Sequence, residues 1–224
     1  MSLILSGTDG LSDIDGSAAT PAIRGTDANT GIFFPAADTI AFATGGTEDA
    51  RFNSAGNLQT IGTISVGNAT PSTSGAGITF PAAQSASSNA NTLDDYEEGT
   101  FTPTFSLGTF TYNQQVGSYT KVGRLVTVNF LISWTAKSSS GTISVAGFPF
   151  TSISTTGYRA TGSVGYTAGV GFSAGTQIAW AMSENYVTAD LAIVTSGAAT
   201  TFANVTNMSA SGELQGAITY FAVN

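Results

Sequence analysis

Four carboxylates crowd into one short run, Asp94, Asp95, Glu97 and Glu98, set around Tyr96 and followed by Gly99. Two such groups facing each other could serve as acid and nucleophile on a glycosidic bond, the chemistry that cuts surface polysaccharide. That work needs carboxyls roughly 5 to 9.5 Å apart across a cleft, with one pKa raised by burial. Neighbours in sequence rarely meet this condition. An acidic run beside glycine reads first as a solvated connector, with Lys121 and Arg124 as available mates and Tyr96 packed. Asp9, Asp13 and Asp15 gather a second set of oxygens, but their spacing is not that of an EF-hand and no closing bidentate glutamate follows. They read as turn residues rather than as a cation site. The chain has no histidine and no cysteine, which removes imidazole bases, the Ser-His-Asp triad, thiolate nucleophiles, disulfides and the common transition-metal ligands together. The expectation is no enzymatic activity, no catalytic residue, no bound metal and no cofactor.

The elements that would position these residues belong to an all-β chain. Of 224 residues 42% are hydrophobic, enough for a real core, while only 9% are charged against roughly 25% in an ordinary domain. Gly, Ser, Thr, Ala and Asn make up a polar but weakly charged remainder that suits pleated sheets and subunits packed against copies of themselves. The net charge of -8 with six scattered bases argues against nucleic acid as a partner. It is also uneven: residues 1–100 hold eleven acids and two bases, and residues 101–224 three acids and four bases.

An internal repeat occupies the first part. Ala19-Thr-Pro21 leads to Gly31-Ile-Phe-Phe-Pro-Ala-Ala37, and Ala69-Thr-Pro71 leads to Gly77-Ile-Thr-Phe-Pro-Ala-Ala83. Each copy predicts a brief strand, Ile32–Phe34 or Ile78–Phe80, stopped by a proline that cannot donate to a ladder. Between them, Thr39–Ala43 and the alternating stretch from Arg51 to Val66 predict short hairpins. Strands this short are marginal in a monomer, so residues 1–90 are expected to form a trimeric stem in which isolated Ile, Phe and Leu meet their symmetry mates. Residues 91–105 then form the acidic connector.

Beyond it the periodicity strengthens. Val126, Val128, Phe130, Ile132 and Trp134 alternate with Leu125, Thr127, Asn129, Leu131 and Ser133, which predicts one long strand with its apolar face inward. A partner is expected over Tyr112–Thr120, and further strands over Thr142–Val145, Arg159–Tyr166, Gln177–Met182, Tyr186–Val194 and Glu213–Val223. With turn signals every ten residues or so, residues 106–224 read as an antiparallel β-sandwich or jelly-roll head.

Two motifs resemble a known family. Arg51-Phe-Asn-Ser-Ala-Gly-Asn-Leu58 with Ile61-Gly-Thr63 resembles the shaft repeats of tailed-bacteriophage fibre and appendage proteins. Asp95-Tyr-Glu-Glu-Gly-Thr-Phe-Thr-Pro103, followed by Tyr119-Thr-Lys-Val-Gly-Arg-Leu-Val-Thr-Val128, resembles the start of the C-terminal β domain of many phage tail fibres. The resemblance implies a virion appendage with a distal trimeric head that meets a host surface glycan or protein.

Several expectations follow from these readings together. The opening Met1–Gly7 is too short and too uncharged for a signal peptide, and no apolar run approaches the ~20 residues of a membrane span, so the chain is expected in the virion after assembly in the host cytoplasm. Leu3, Ile4 and Leu5 are candidates for docking on other virion proteins. Tyr158, Tyr166, Trp180 and Tyr186 are candidates for gripping a receptor, because aromatic rings stack on sugar faces; each is equally open to a place in the core or a subunit interface. A homotrimeric tail fibre leads, followed by a capsid decoration or cement protein and then by a depolymerase using the acidic run.

Overall fold

The computed structural model describes residues 14–72, 74–83, 87–89, 91–138 and 140–223 in full, and 5–6 and 10–11 by their backbone. Within them the chain is all β apart from one 3₁₀ turn, Val205–Asn207, whose N-terminal end is closed by a capping box of Asn204 and Asn207. It divides into two compact units, Met1–Ala82 and Ala83–Asn224.

In the first unit β1 (Leu5–Ser6) and β2 (Gly10–Leu11) form a small antiparallel ribbon. Next, β3 (Ile23–Arg24), β4 (Gly31–Phe33), β5 (Ile40–Thr44), β6 (Thr47–Phe52) and β7 (Leu58–Thr60) pair in sequence order as an antiparallel meander. Gly45 and Gly46, with φ of 57° and 82°, supply the left-handed pair that a tight β5–β6 hairpin demands. The repeated Gly-Ile blocks become β4 and β9 (Gly77–Thr79), and each strand ends just before the Phe-Pro step. One expectation fails: β8 (Thr63–Ser65) and β9 are not a hairpin but a parallel pair. The chain between them, residues 66–76, makes a crossover and returns in the same direction, as parallel pairing requires.

Burial in this unit is inverted. Along β5 the small residues Ala41 and Ala43 are 0% and 2% exposed, while the large Ile40 and Phe42 are 43% and 37% exposed. Only Phe33 joins the alanines in the core, with Ala18 against it. Cross-strand register carries the outward pattern sideways, through Ile23, Ile32 and Phe42 in one row and Ile40, Phe52 and Leu58 in the next. One sheet face is therefore a band of large apolar side chains in contact with solvent.

The second unit contains β10 (Tyr96–Phe101), β11 (Thr104–Phe105), β12 (Thr109–Val122), β13 (Leu125–Ser138), β14 (Ser144–Ala146), β15 (Arg159–Val170), β16 (Gln177–Ser183), β17 (Thr188–Val194), β18 (Thr201–Phe202) and β19 (Met208–Phe221). All belong to one antiparallel sheet with the path β10-β12-β13-β19-β15-β16-β17-β14-β11, and β18 pairs with β17. Its two ends, β10 and β11, are separated in the chain only by Thr102 and Pro103. The sheet curls until its edges meet, in the manner of a sandwich closed over one core. Side chains reach across the junction: the Tyr112 hydroxyl accepts from the Phe105 N–H at 2.9 Å, and Gln115 Nε2 donates to the Pro103 carbonyl at 2.9 Å.

The alternation expected for residues 125–134 is seen in β13, where Val126, Val128, Phe130, Ile132 and Trp134 are all buried. They meet Ile143, Val145, Trp180, Met182, Leu191, Leu214, Ile218 and Tyr220 in a continuous core. Trp134 Nε1 donates to the Ser209 carbonyl and the Tyr220 hydroxyl to the Phe150 carbonyl, so these two rings are satisfied, while the buried Trp180 Nε1 has no hydrogen-bond partner. Room for the indoles comes from glycine in β19. A Cβ on Gly212 would sit 2.5 Å from the Trp134 ring, and one on Gly216 only 2.1 Å from Trp180 Nε1.

Gly216→Ala is accordingly expected to destabilise the second unit by about 1–3 kcal/mol through overpacking. Chemical denaturation followed by tryptophan fluorescence measures the loss directly.

Candidate functional site

The acidic run is not an open cluster. Tyr96–Phe101 pairs along its whole length with Gly117–Val122, so Asp95 and Glu97 share the inner side with Tyr119 and Lys121, while Tyr96 and Glu98 face out. Each carboxylate has an internal partner. Asp94 Oδ2 accepts from the Ser87 N–H at 2.7 Å, Asp95 from Lys121 Nζ, Glu97 from the Tyr119 hydroxyl and Glu98 from the Tyr96 hydroxyl. The solvated connector expected from sequence is corrected at Asp95, which is 4% exposed and pairs with a Lys121 that is 2% exposed. Tyr96, expected to be packed, is exposed instead.

The phenols register these contacts electrostatically. Donation to Glu97, with desolvation behind it, pushes the Tyr119 pKa from its ordinary 10 up to about 12. Tyr96 is raised in the same sense, chiefly by its bond to Glu98, and Tyr220 by burial. Lys121 also lies 5.3 Å from the centre of the Phe150 ring, against which Tyr119 packs edge-on at 5.4 Å. The result is a clamp that holds β10 on β12, built from two acids, one lysine and two aromatic rings.

On the outer side of the same sheet lies a groove of about 350 Å³ lined chiefly by Val116, Ser118, Asn129, Leu131, Ser163 and Gln215. Register places Val116, Leu131, Gln215 and Tyr166 in one row across β12, β13, β19 and β15, with Tyr166 52% exposed beside the lining. None of the lining side chains is ionised. Hydroxyls, amides and one free phenol ring are what a neutral, hydroxyl-rich ligand can use.

The four aromatic candidates do not converge. Trp180 is 0% exposed and belongs to the core, which corrects its reading as a surface contact. Tyr158 is half-buried, and its hydroxyl accepts from the Phe221 N–H at 2.8 Å. Tyr186 stands exposed in the β16–β17 turn, its N–H bonded to Ser152 Oγ. Ser152 bridges to Ala222, so Tyr158 and Tyr186 share the end of the sheet where β19 finishes. Tyr166 is six residues back along β19, about 20 Å away at strand rise. Leu3 and Ile4 lie outside the described residues; Leu5 opens β1, with only its backbone described. Asp9 and Asp13 also lie outside, and the exposed Asp15 uses its carbonyl to accept from the Phe34 N–H. Among the described residues no group of three or more acidic side chains could hold a metal, and no helix is long and apolar enough to cross a membrane.

No protein-family model matches the chain, and no curated protein matches it. Among solved structures it is similar to the crystal structure of the Dettilon tailspike protein, at a TM-score of 0.46 and 17% sequence identity, over 56% of this chain and 24% of that one. The chain thus spans about a quarter of the tailspike's length.

Two outcomes test the clamp. Asp95→Ala leaves a buried ammonium without its acid and is expected to cost the second unit about 3–5 kcal/mol in urea denaturation. Because the folded Tyr119 pKa of about 12 exceeds its ordinary 10, the stability it contributes is complete below pH 10 and is lost as pH rises through 12. Tyr119→Phe is expected to flatten this alkaline decline in a pH series of thermal melts, leaving the part due to Tyr96, Tyr112 and Tyr220.

Proposed function

We propose that the chain is a non-enzymatic structural protein of a tailed-phage virion: a short homotrimeric tail fibre that docks through its N-terminal half and meets the host surface through its C-terminal head. The observation that carries this reading is the inverted burial of the first unit. A sheet that hides Ala41 and Ala43 and presents Ile40, Phe42, Phe52 and Leu58 has its larger apolar face where a partner belongs. Copies of the chain suit that place, because cyclic assemblies of identical chains are a common way to bury such a face. The shaft-type motif Arg51–Leu58 falls on this same sheet and turn, which supports the phage-fibre class.

For the head, the uncharged groove beside Tyr166 supports contact with a neutral glycan. Its shallowness suits a polyvalent mode, since three weak sites on one particle gain avidity from effective concentration. The commitment of every acidic-run carboxylate to an internal partner supports a structural role for Asp94–Glu98 over glycosidase chemistry.

Light scattering on the purified chain should give three times 22.6 kDa. Phe42 and Phe52 retain about two-fifths of their surface for the interface, on the order of 1 kcal/mol each per chain. Replacing either by Ser therefore costs the trimer about 3 kcal/mol, roughly a hundredfold in its dissociation. A wild-type monomer at micromolar concentration would sink the stem. For the head, the protein should block adsorption of its phage to host cells and Tyr166→Ala should weaken that block; equal blocking by the variant removes the groove from the reading.

A further inference from the structure

We propose that Lys121 and Asp95 become joined by an isopeptide bond that forms within the folded second unit without any other enzyme. Asp95 immediately precedes β10, two residues before the rung that sets Glu97 opposite Lys121, and Lys121 Nζ donates directly to Asp95 Oδ2. Neither residue exposes more than 4% of its surface. The Asp95 carbonyl accepts from the Gly123 N–H at 2.9 Å, which fixes the acid beside the β12–β13 turn, close to Lys121 near the end of β12. The Phe150 ring covers the amine, and Tyr119 packs edge-on against that ring. Glu97, a second carboxylate, stands opposite Lys121 in register on the same inner side.

An ion pair withdrawn from water is costly, and one proton passed from the ammonium to the carboxylate discharges both partners with no change in net charge. The neutral amine can then attack Asp95 Cγ. A C–N bond forms as the C–O bond to the protonated oxygen breaks; the hydroxyl leaves with one amine proton as water, and an amide remains. No oxidant, nucleotide or metal takes part. Fixed contact supplies an effective concentration that free amine and acid never reach in water, and the aromatic cover keeps out the water that would reverse the reaction. Glu97 is placed to carry the amine proton to the departing oxygen.

Electrospray mass measurement of the denatured full chain decides the matter. The joined chain weighs about 18 Da less than its sequence, one water. Trypsin cuts after Lys and Arg, and between Arg51 and Arg124 the only such residue is Lys121. Acylation blocks that cut, so the joined chain yields Phe52–Arg124 uncut and lighter by one water, while Asp95→Ala and Lys121→Arg lose no water. Asp95→Asn should instead lose ammonia, about 17 Da, and reach the same joined product. An intact mass equal to the sequence, or an 18 Da loss placed at Asp9–Gly10 or Asp15–Gly16 with Lys121 still cleaved, overturns the proposal. Joining at the wild-type rate in Glu97→Gln removes Glu97 from the reaction.

Discussion

Tyr96–Phe101 and Thr104–Phe105 follow one another in the chain yet end the strand path of the second unit on opposite sides. The two residues between them, Thr102 and Pro103, set how far the sheet must curl. Pro103 suits that place because it has no N–H to offer a ladder, and at the crossing from one edge to the other no ladder partner is required. Everything inside follows from the closure. The long strands β12, β13 and β19 run side by side with their inner positions apolar, and two indoles lie over the glycines of β19. Phe101 meets Phe148 edge-on at 5.6 Å, so the strand that begins the path touches the loop after β14 near its finish.

The two units solve the burial problem in opposite ways. The second places Trp, Ile, Leu and Val inside and leaves threonine, serine, asparagine and alanine on much of its outer face, as the hydrogen-bonded Thr127 and Thr219 hydroxyls illustrate. The first has too little sheet to enclose large side chains and encloses alanines instead. Its strands of two to six residues could not form a core of the second kind at any choice of sequence. Residues 1–82 hold seven acids against two bases, and like charges oppose association wherever such apolar bands meet out of register.

Legibility in the sequence tracked strand length. The period-two pattern of residues 125–134 located β13 and its buried face, and the turn spacing located the strands around it, because each long strand repeats its signal several times. The parallel pairing of β8 with β9 was not legible: three residues carry no direction, and the crossover between them resembles an ordinary loop. Among the candidate residues, Trp134 could be assigned to the core from its phase, whereas Trp180 sits in Ile-Ala-Trp-Ala-Met, where both phases are apolar and neither face announces itself. The acidic run misled for a different reason. Local composition marked Asp95 as solvated, but its environment is set by a strand that begins a dozen residues later. The signal that could have found it was the matching spacing of Asp95 with Glu97 and Tyr119 with Lys121, two alternating pairs that an antiparallel register brings face to face.

The position of the Lys121–Asp95 contact also bears on how the molecule carries load. Tension carried along the backbone from the first unit enters the sheet of the second at Asp95, immediately before its first strand. A strand pulled from a free end peels, opening one rung at a time under a small force. Pinned at the residue where the pull arrives, the same strand is bypassed: the load passes through Lys121 into β12, and the rungs beyond the pin are shielded from it. The junction is thus a strain relief, of the kind a cable has where it enters its housing.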